Sequence, residues 1–259
     1  MTKRRSNTKS RYHDDFIMNN PIPTQIPTDY NFNQKKFTTH DMKSIQPMTR
    51  NQERFYKMWD EGYNIFASGV YGTGKSFNAL NLALRTILDV DTPQSKLIIM
   101  KNTIQSRSQG FLPGTIEEKV EPFTIPYINI FDEIFKKKNQ YKFMEEANIL
   151  EFHSSSFVRG NTFNDAVIII DEIQNFNYTE AISCLSRVGT NSRVMVLGDG
   201  KYQNDLQYNK FDVSGFNDIY KISTMIPSFR NVDFGIEDIV RSGFCRELAI
   251  AMIRHEGMA

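Results

Sequence analysis

The chain has 259 residues, of which 40% are hydrophobic and 24% are charged, and its formal net charge at neutral pH is +1. This composition predicts a folded globular protein with a sizeable core, and it excludes both a strongly basic nucleic-acid binder and a wholly disordered chain. No apolar run approaches the ~20 residues of a membrane span, and the N-terminus lacks the apolar centre of a secretory signal. We therefore expect a cytoplasmic protein without membrane contact. The two cysteines, Cys184 and Cys245, have no paired spacing, so we expect reduced thiols.

Residues 1–46 have the composition of an extended or disordered arm. Basic residues crowd the first dozen positions, and the prolines and amides that follow leave neither helical nor strand periodicity. Such an arm is either a solvated tail or a contact for nucleic-acid phosphates. We predict that a folded domain follows over residues 47–259.

The predicted elements of this domain alternate between helices and short apolar strands. One helix is predicted from about Asn51 to Asp60, and another from Phe77 to Leu88 has its apolar residues on one face. Nearly unbroken apolar strands separated by helices are typical of an α/β three-layer sandwich with a mainly parallel central sheet. The predicted strands are YNIFASG, KLIIMK, NILEFH, AVIIID and RVMVLG, at residues 63–69, 96–101, 148–153, 166–171 and 193–198.

The sequence GVYGTGKS matches the pattern of a phosphate-binding P-loop and lies between a predicted strand and a predicted helix. Its glycines let successive backbone N–H groups point at phosphate oxygens at a helix N-terminus. We expect Lys75 to reach the β- and γ-phosphates and the Ser76 hydroxyl to bind Mg²⁺. The residues predicted to bind nucleotide here are Gly69, Val70, Tyr71, Gly72, Thr73, Gly74, Lys75 and Ser76.

Two carboxylates, Asp171 and Glu172, end the apolar strand AVIIID. Acidic residues at a strand end are weak evidence alone, but together with a P-loop they predict a site that hydrolyses ATP with Mg²⁺ as cofactor. Asp171 would hold the Mg²⁺ shell, and Glu172 would accept a proton from the attacking water.

A guanine-nucleotide switch is the competing interpretation, because residues 209–212 spell the N-K-x-D motif of GTPases. However, no buried apolar strand precedes this stretch. The D-x-x-G sequence expected near the metal-binding aspartate occurs only at residues 212–215, after the motif. We therefore treat both matches as coincidental.

The strand RVMVLG also ends in an acidic residue, Asp199, and Gln203 follows shortly after it. This arrangement resembles the ATPase class that inserts one strand between the P-loop strand and the acidic strand. The resemblance implies that Asp199 and Gln203 lie between Lys75 and Glu172, where a polar group senses the γ-phosphate. Ahead of the P-loop, Gln52 resembles the glutamine motif of helicases, whose amide reads adenine.

Four longer stretches carry the most specific signal. They are RSQGFLPGTIEEKVEP, FVRGNTFNDAVIIIDEIQN, SRVGTNSRVMVLGD and IEDIVRSG, which begin at residues 107, 157, 186 and 236. Together they resemble the PhoH-like family, particularly the short form carried by bacteriophages. The resemblance implies a P-loop NTPase fold like one RecA-type motor domain of superfamily-one helicases. It also implies an RNA- or DNA-linked ATPase that assembles into a ring-like homo-oligomer, with a hexamer as the expected form.

Three features depart from the family pattern. Tyr71 stands where these P-loops usually carry a small residue, and Lys101 stands where an arginine is expected. The spacing between Asp199 and Gln203 is one residue longer than usual. The departures concern the shape of the pocket, one phosphate contact and the sensing role of Gln203.

A single motor domain must obtain a transition-state arginine from a neighbouring subunit or from its own C-terminal part. The candidates are Arg241, Arg159 and Arg187. The position of Arg241 in the family motif favours that residue.

The stretch that begins at residue 107 follows the strand KLIIMK, and loops after strands line the ligand face of open α/β sheets. We expect Arg107 to meet a phosphate of single-stranded RNA or DNA and Phe111 either to stack on a base or to pack against the core or a neighbouring subunit. Thr115 and Glu118 have capping-box spacing, which predicts that a helix starts there. Pro122 should end or kink that helix.

Three functions are consistent with these motifs. The first is an oligomeric ATPase that moves or remodels single-stranded nucleic acid, and the second is a nucleotide-dependent assembly factor with a protein client. The third is a P-loop kinase that passes phosphate to an acceptor. Glu172 and Gln52 favour the first two over the kinase.

Overall fold

The computed structural model describes residues 37–103, 116–155, 158, 160–200 and 213–256. Six parallel strands and the helices around them make up the described part of the chain. The strands β1 to β6 are Asn64–Gly69, Lys96–Lys101, Leu150–Ser154, Ala166–Asp171, Arg193–Gly198 and Phe229–Phe234. The α-helices α1 to α7 are Arg50–Asp60, Lys75–Ile87, Ile116–Ile134, Gln140–Glu146, Tyr178–Leu185, Phe216–Met225 and Gly243–Glu256.

The sheet has the strand order β3-β2-β4-β5-β1-β6, and all five neighbouring pairs are parallel. Strand β5 therefore lies between the P-loop strand β1 and the acidic strand β4, as the sequence predicted. The carboxyl ends of these three strands meet at one edge of the sheet, where open α/β folds bind their ligands.

Both faces of the sheet are buried, which explains the apolar sequences of its central strands. On one face, Phe66, Ile168 and Val196 pack in a cluster with Phe176 and Phe216 from the chain around α5 and α6. The residues that alternate with them along the strands point to the other face, where α1 and α2 contact the sheet. The predicted three-layer α/β sandwich is confirmed.

Helix α2 is buried on nearly all sides rather than on one face. In the predicted apolar stripe Ala79, Leu80 and Leu84 are fully buried and Leu88 is half-buried. Leu82 is buried as well, and Arg85 is exposed. The reason is that α2 contacts α1 and α3 in addition to the sheet. The first residue of the helix is Lys75, which directly follows Gly74, so the helix begins within the P-loop.

Strand β6 was not predicted from the sequence, whereas all five predicted strands are present. Its sequence, FRNVDF, carries three polar residues without regular alternation, and only two of its six residues are buried. Such a pattern is expected at a sheet edge, where one side of the strand lacks a partner. The apolar patterns of the sequence therefore predicted the central strands of the sheet but not this edge strand.

Helix α3 does not end at Pro122, which was one of the two outcomes predicted there, the other being a kink. It continues through Pro122 and Pro126 to Ile134. A proline inside a helix costs ~3 kcal/mol because a backbone hydrogen bond is lost and its ring crowds the preceding turn. Burial of Tyr127 and Phe131 along the same helix offsets this cost.

The compact unit formed by the chain begins at Thr38, whereas the predicted arm extended to residue 46. Backbone hydrogen bonds explain the difference, because the Lys43 N–H donates to the carbonyl oxygen of Ile134 and the Lys136 N–H donates to that of Asp41. Local sequence does not reveal such pairing with a distant helix end. Among the described residues, no helix is both long and apolar enough to cross a membrane.

Candidate functional site

The P-loop, residues 69–76, connects the end of β1 to the start of α2. Gly69, Gly72 and Gly74 have positive φ angles of 128°, 77° and 78°. This backbone region favours glycine, because a side chain there crowds the main chain. A Cβ on Gly69 would also overlap the carbonyl oxygen of Phe234 on β6. The glycines thus allow a tight loop at the N-terminus of α2, where backbone N–H groups favour phosphate.

The ammonium group of Lys75 lies against the backbone of this loop. Its Nζ donates to the carbonyl oxygens of Gly69 at 2.7 Å and Val70 at 2.8 Å. Burial lowers the pKa of Lys75, while three nearby carboxylates act in the opposite direction. In order of decreasing influence these carboxylates are Asp199, Glu172 and Asp171. The phosphate-binding lysine and the acidic residues that the sequence predicted therefore share one cleft.

Ser76 and Asp171, the predicted Mg²⁺ ligands, lie within hydrogen-bond distance of each other. Ser76 Oγ donates to Asp171 Oδ1 at 3.3 Å, and the backbone N–H of Glu172 donates to the same oxygen at 3.0 Å. Mg²⁺ prefers oxygen ligands and takes only one or two carboxylates in sites that it shares with substrate phosphates. The hydroxyl and the carboxylate fit this ion, which would neutralise charge on the β- and γ-phosphates.

Glu172 adopts a backbone conformation that residues other than glycine rarely take. Its φ is 56° and its ψ is 45°, and strained backbone of this kind is concentrated at functional sites. Burial, followed by the charge of Asp171, raises the pKa of Glu172, while Lys101 and Gln174 act to lower it. A carboxylate with a raised pKa is better matched to accept a proton near neutral pH.

Gln174 connects the acidic strand to the neighbouring strand β5. Its Nε2 donates to Glu172 Oε2 at 2.5 Å, and its Oε1 accepts from the backbone N–H of Asp199 at 3.0 Å. Both Gln174 and Asp199 are buried. Gln174 thus lies between Glu172 and Asp199, and Asp199 lines the same cleft as Lys75 and Glu172. The second predicted sensor, Gln203, lies outside the described residues.

Tyr127, which the sequence did not single out, contacts the carboxylate of Asp171, a predicted Mg²⁺ ligand. Its hydroxyl donates to Asp171 Oδ2 at 2.9 Å, and its side chain is buried. Lys101 Nζ lies 5.8 Å from the centre of its ring. Gln174 could have been suspected from the motif DEIQN, but Tyr127 is 44 residues away from its partner along the chain, and no local pattern marks it.

The segment ahead of α7 brings Arg241 to the P-loop of the same chain. The backbone N–H of Val240 donates to the carbonyl oxygen of Gly72 at 3.0 Å. The Cβ and Cδ atoms of Arg241 lie 3.6 and 3.7 Å from the position that a Cβ on Gly72 would occupy. Arg187 instead donates to two backbone carbonyl oxygens, and Arg159 lies outside the described residues.

The unusual Tyr71 of the P-loop packs toward the C-terminal helix. It lies against a small cluster of Val70, Ile239 and Ala249, and its hydroxyl is 3.5 Å from the sulfur of Met252 on α7. The bulky side chain is thus accommodated between the loop and α7.

Gln52, the predicted adenine reader, uses its amide within the protein. Its Nε2 donates to the carbonyl oxygen of Thr73 at 3.0 Å, and its Oε1 accepts from the backbone N–H of Met48 at 2.7 Å. Gln52 is 2% exposed. An adenine contact would have to use the second N–H or the second lone pair of this amide.

These groups line a cleft of about 670 Å³, within the range of ~300–1,000 Å³ that is typical of ligand sites. A larger cleft of about 1110 Å³ lies beside residues 39–47 and helices α1 and α2. The described residues that line the larger cleft include no phosphate-binding loop, so chemistry favours the smaller one. No group of three or more histidine, cysteine, aspartate or glutamate residues forms a metal cage in the described part of the chain.

Several predicted contacts fall outside the described residues. They are the nucleic-acid contacts of Arg107 and Phe111, the N-K-x-D match at residues 209–212 and the basic N-terminal residues. Thr115, the predicted cap of α3, also lies outside them.

Comparison with known proteins gives one family and several related folds. The family model described as "PhoH-like protein" matches residues 44–253. A PhoH-like protein of Mycobacterium bovis is 31% identical over 216 residues, which cover 83% of this chain and 59% of the relative. Protein PhoH of Escherichia coli K12 is 30% identical over 213 residues, which cover 80% of this chain and 58% of the relative. The chain thus spans less than two thirds of the length of these relatives.

Two solved structures have similar folds at low sequence identity. The large terminase of a thermophilic bacteriophage has a TM-score of 0.47 at 12% identity, covering 79% of this chain and 50% of the terminase chain. The Pif1 helicase of Candida albicans has a TM-score of 0.35 at 16% identity, covering 73% of this chain and 40% of the helicase.

Proposed function

The chain belongs to the PhoH-like protein family, and from that premise we propose that it binds ATP and hydrolyses its γ-phosphate with Mg²⁺ held by Ser76 and Asp171. The observation that carries the proposal is the 3.3 Å approach of Ser76 Oγ to Asp171 Oδ1 beside the P-loop. Glu172 directly follows Asp171 and has a raised pKa. A nucleotide-binding loop serves many reactions, but the half-buried carboxylate of Glu172 next to the proposed metal ligand Asp171 favours attack by water.

Each side chain of the cleft has a role in this proposal. Lys75 binds the β- and γ-phosphates, and Glu172 accepts the proton of the attacking water. Asp199 senses the γ-phosphate, together with Gln203. Arg241 stabilises the charge that develops on the transferred phosphoryl group.

A glutamate variant tests whether the site hydrolyses ATP. With Glu172→Gln we expect ATP to bind with near wild-type affinity and turnover to fall by about 10²–10⁴-fold, because the general base is lost. Lys75→Ala should weaken binding itself. Glu61→Gln is the matched control, because Glu61 is exposed and pairs only loosely with Lys57. Wild-type turnover in Glu172→Gln would contradict the proposal.

We further propose that the ATPase acts on single-stranded RNA or DNA as a ring-like homo-oligomer, most simply a hexamer. The support is the family resemblance carried by the stretches around Arg107, Asp171 and Arg241. ATP turnover measured with and without single-stranded RNA and DNA, together with the particle mass in solution, tests both parts. A monomer that is indifferent to both nucleic acids would contradict them.

The same assays separate the two alternative functions. Turnover that responds to neither nucleic acid in an intact oligomer favours an assembly factor with a protein client. Transfer of labelled γ-phosphate to an acceptor other than water favours a P-loop kinase.

A further inference from the structure

We propose that Tyr127 is a positioning residue for the Mg²⁺-binding carboxylate of Asp171, an inference that rests on the proposed function. Tyr127 belongs to α3, which is neither the P-loop nor the acidic strand. A third element of the fold thus holds the metal ligand. In this role Tyr127 acts through Asp171 and contacts neither nucleotide nor metal itself.

The two oxygens of the Asp171 carboxylate are held from different sides. Oδ1 accepts from Ser76 Oγ at 3.3 Å and from the backbone N–H of Glu172 at 3.0 Å. Oδ2 accepts from the hydroxyl of Tyr127 at 2.9 Å. Hydrogen bonds to both oxygens fix the rotation of the carboxylate plane. Because an ionised carboxylate has about four lone-pair sites, Oδ2 retains one that can bind a cation.

The Tyr127 hydroxyl is confined to the role of a donor. A carboxylate oxygen carries no proton and can only accept, so the phenol O–H is the donor in the 2.9 Å hydrogen bond to Asp171 Oδ2.

Packing fixes the ring that carries this hydroxyl. Tyr127 is 2% exposed, and its ring lies 5.8 Å from that of Phe152 on β3, tilted by 52°. A hydroxyl on a buried ring between α3 and the sheet has few alternative positions. Packing therefore holds the hydroxyl in place for its hydrogen bond to Asp171.

Groups that orient metal ligands from outside typically change metal affinity by about 10–100-fold when they are removed. With Tyr127→Phe, which deletes only the hydroxyl, we expect a decrease of this size in affinity for Mn²⁺, a spectroscopic substitute for Mg²⁺. Nucleotide affinity in EDTA should stay within about threefold of wild type, because the P-loop contacts do not involve Tyr127.

The experiment titrates Mn²⁺ into the full-length protein with a non-hydrolysable ATP analogue and follows free Mn²⁺ by electron paramagnetic resonance. Tyr141→Phe is the matched control, because the Tyr141 hydroxyl is also buried but has no hydrogen-bond partner among the described residues. The control should bind Mn²⁺ like the wild type. ATP turnover against Mg²⁺ concentration should shift to higher Mg²⁺ only in Tyr127→Phe.

Equal Mn²⁺ affinity in Tyr127→Phe and wild type would overturn the inference while leaving the ATPase proposal intact. Equal losses of metal-dependent and metal-free nucleotide binding would also overturn it, since they indicate a role in folding alone. If Tyr127→Phe does not fold, Phe152→Leu is the second variant, because it loosens the packing of the Tyr127 ring and keeps its hydroxyl. We then expect a smaller decrease in Mn²⁺ affinity. An unchanged Mn²⁺ affinity in Phe152→Leu would contradict the inference. A wild-type protein that neither binds the metal–nucleotide pair nor hydrolyses ATP would overturn both proposals.

Discussion

The side-chain amide of Gln174 donates to the carboxylate of Glu172 at 2.5 Å. The other end of the same amide accepts from the backbone N–H of Asp199 at 3.0 Å. One buried residue thus holds Glu172, the proposed base directly after β4, at a fixed place relative to the end of β5. The position of Glu172 is set by hydrogen bonding as well as by its strained backbone.

Replacement of Gln174 should affect turnover more than nucleotide binding. Gln174→Ala frees the Glu172 carboxylate and leaves the buried Asp199 N–H without its partner, at a cost of about 1–3 kcal/mol in the free energy of unfolding. We expect kcat to fall by about 10–100-fold with little change in ATP affinity. Steady-state kinetics and urea unfolding check the two effects, and a kcat equal to wild type would show that Glu172 needs no such support.

The pH dependence of turnover should report the pKa of Glu172. Because a general base must be deprotonated, kcat should fall as pH drops through the raised pKa of this group. Lys101 counteracts that rise, so Lys101→Met should raise the pKa further and move the acid limb of the profile to higher pH.

The control for this pH experiment is Lys57→Met, since Lys57 is an exposed residue of α1 that pairs with Glu61. Its acid limb should coincide with that of the wild type. A Lys101→Met profile with an unmoved acid limb would assign the limb to another group.

Removal of Arg241 should leave ATP binding near normal and reduce turnover by about 10³-fold or more. The side chain lies beside Gly72 of its own chain, so we expect it to act within the same subunit. Mixing Arg241→Ala with Lys75→Ala subunits should then restore no activity. Recovery on mixing would instead indicate an arginine supplied by a neighbouring subunit.

Arg187→Ala is the control for this experiment, because Arg187 donates to backbone carbonyl oxygens away from the P-loop. Its turnover should remain within a few-fold of wild type.

The close approach of the P-loop to β6 predicts a large effect of one added methyl group. In Gly69→Ala the new Cβ overlaps the carbonyl oxygen of Phe234 at a φ of 128°. Gly62→Ala also has a positive φ, of 93°, but meets no atom of the described residues within 4 Å, so its cost should be the strain alone, roughly 1–2 kcal/mol. Urea unfolding should show a further loss of about 2 kcal/mol or more for Gly69→Ala. Equal losses in the free energy of unfolding for Gly69→Ala and Gly62→Ala would mean that β6 moves away from the added methyl group without cost.

Local patterns predicted most of the sheet and the chemical groups of the site. The P-loop, Asp171 and Glu172 were found because strand, glycine turn and helix follow one another within a short stretch of chain. The insertion of β5 beside β4 was also predicted. The strands, the P-loop and the two carboxylates depend on periodicity or on spacing between residues that are close in sequence, whereas the place of β5 was implied by the resemblance to a known ATPase class.

The tertiary structure decided how distant residues are brought to the site, and it alone added Tyr127. Tyr127 reaches Asp171 because α3 continues past two prolines. Arg241 reaches Gly72 because β6 returns the chain to the edge of β1. The side chain of Gln52 is held by a hydrogen bond to Thr73. These contacts depend on packing between elements rather than on local sequence. Side-chain types and spacing therefore indicated the chemistry, whereas burial and the crossings of the chain selected the residues that position it.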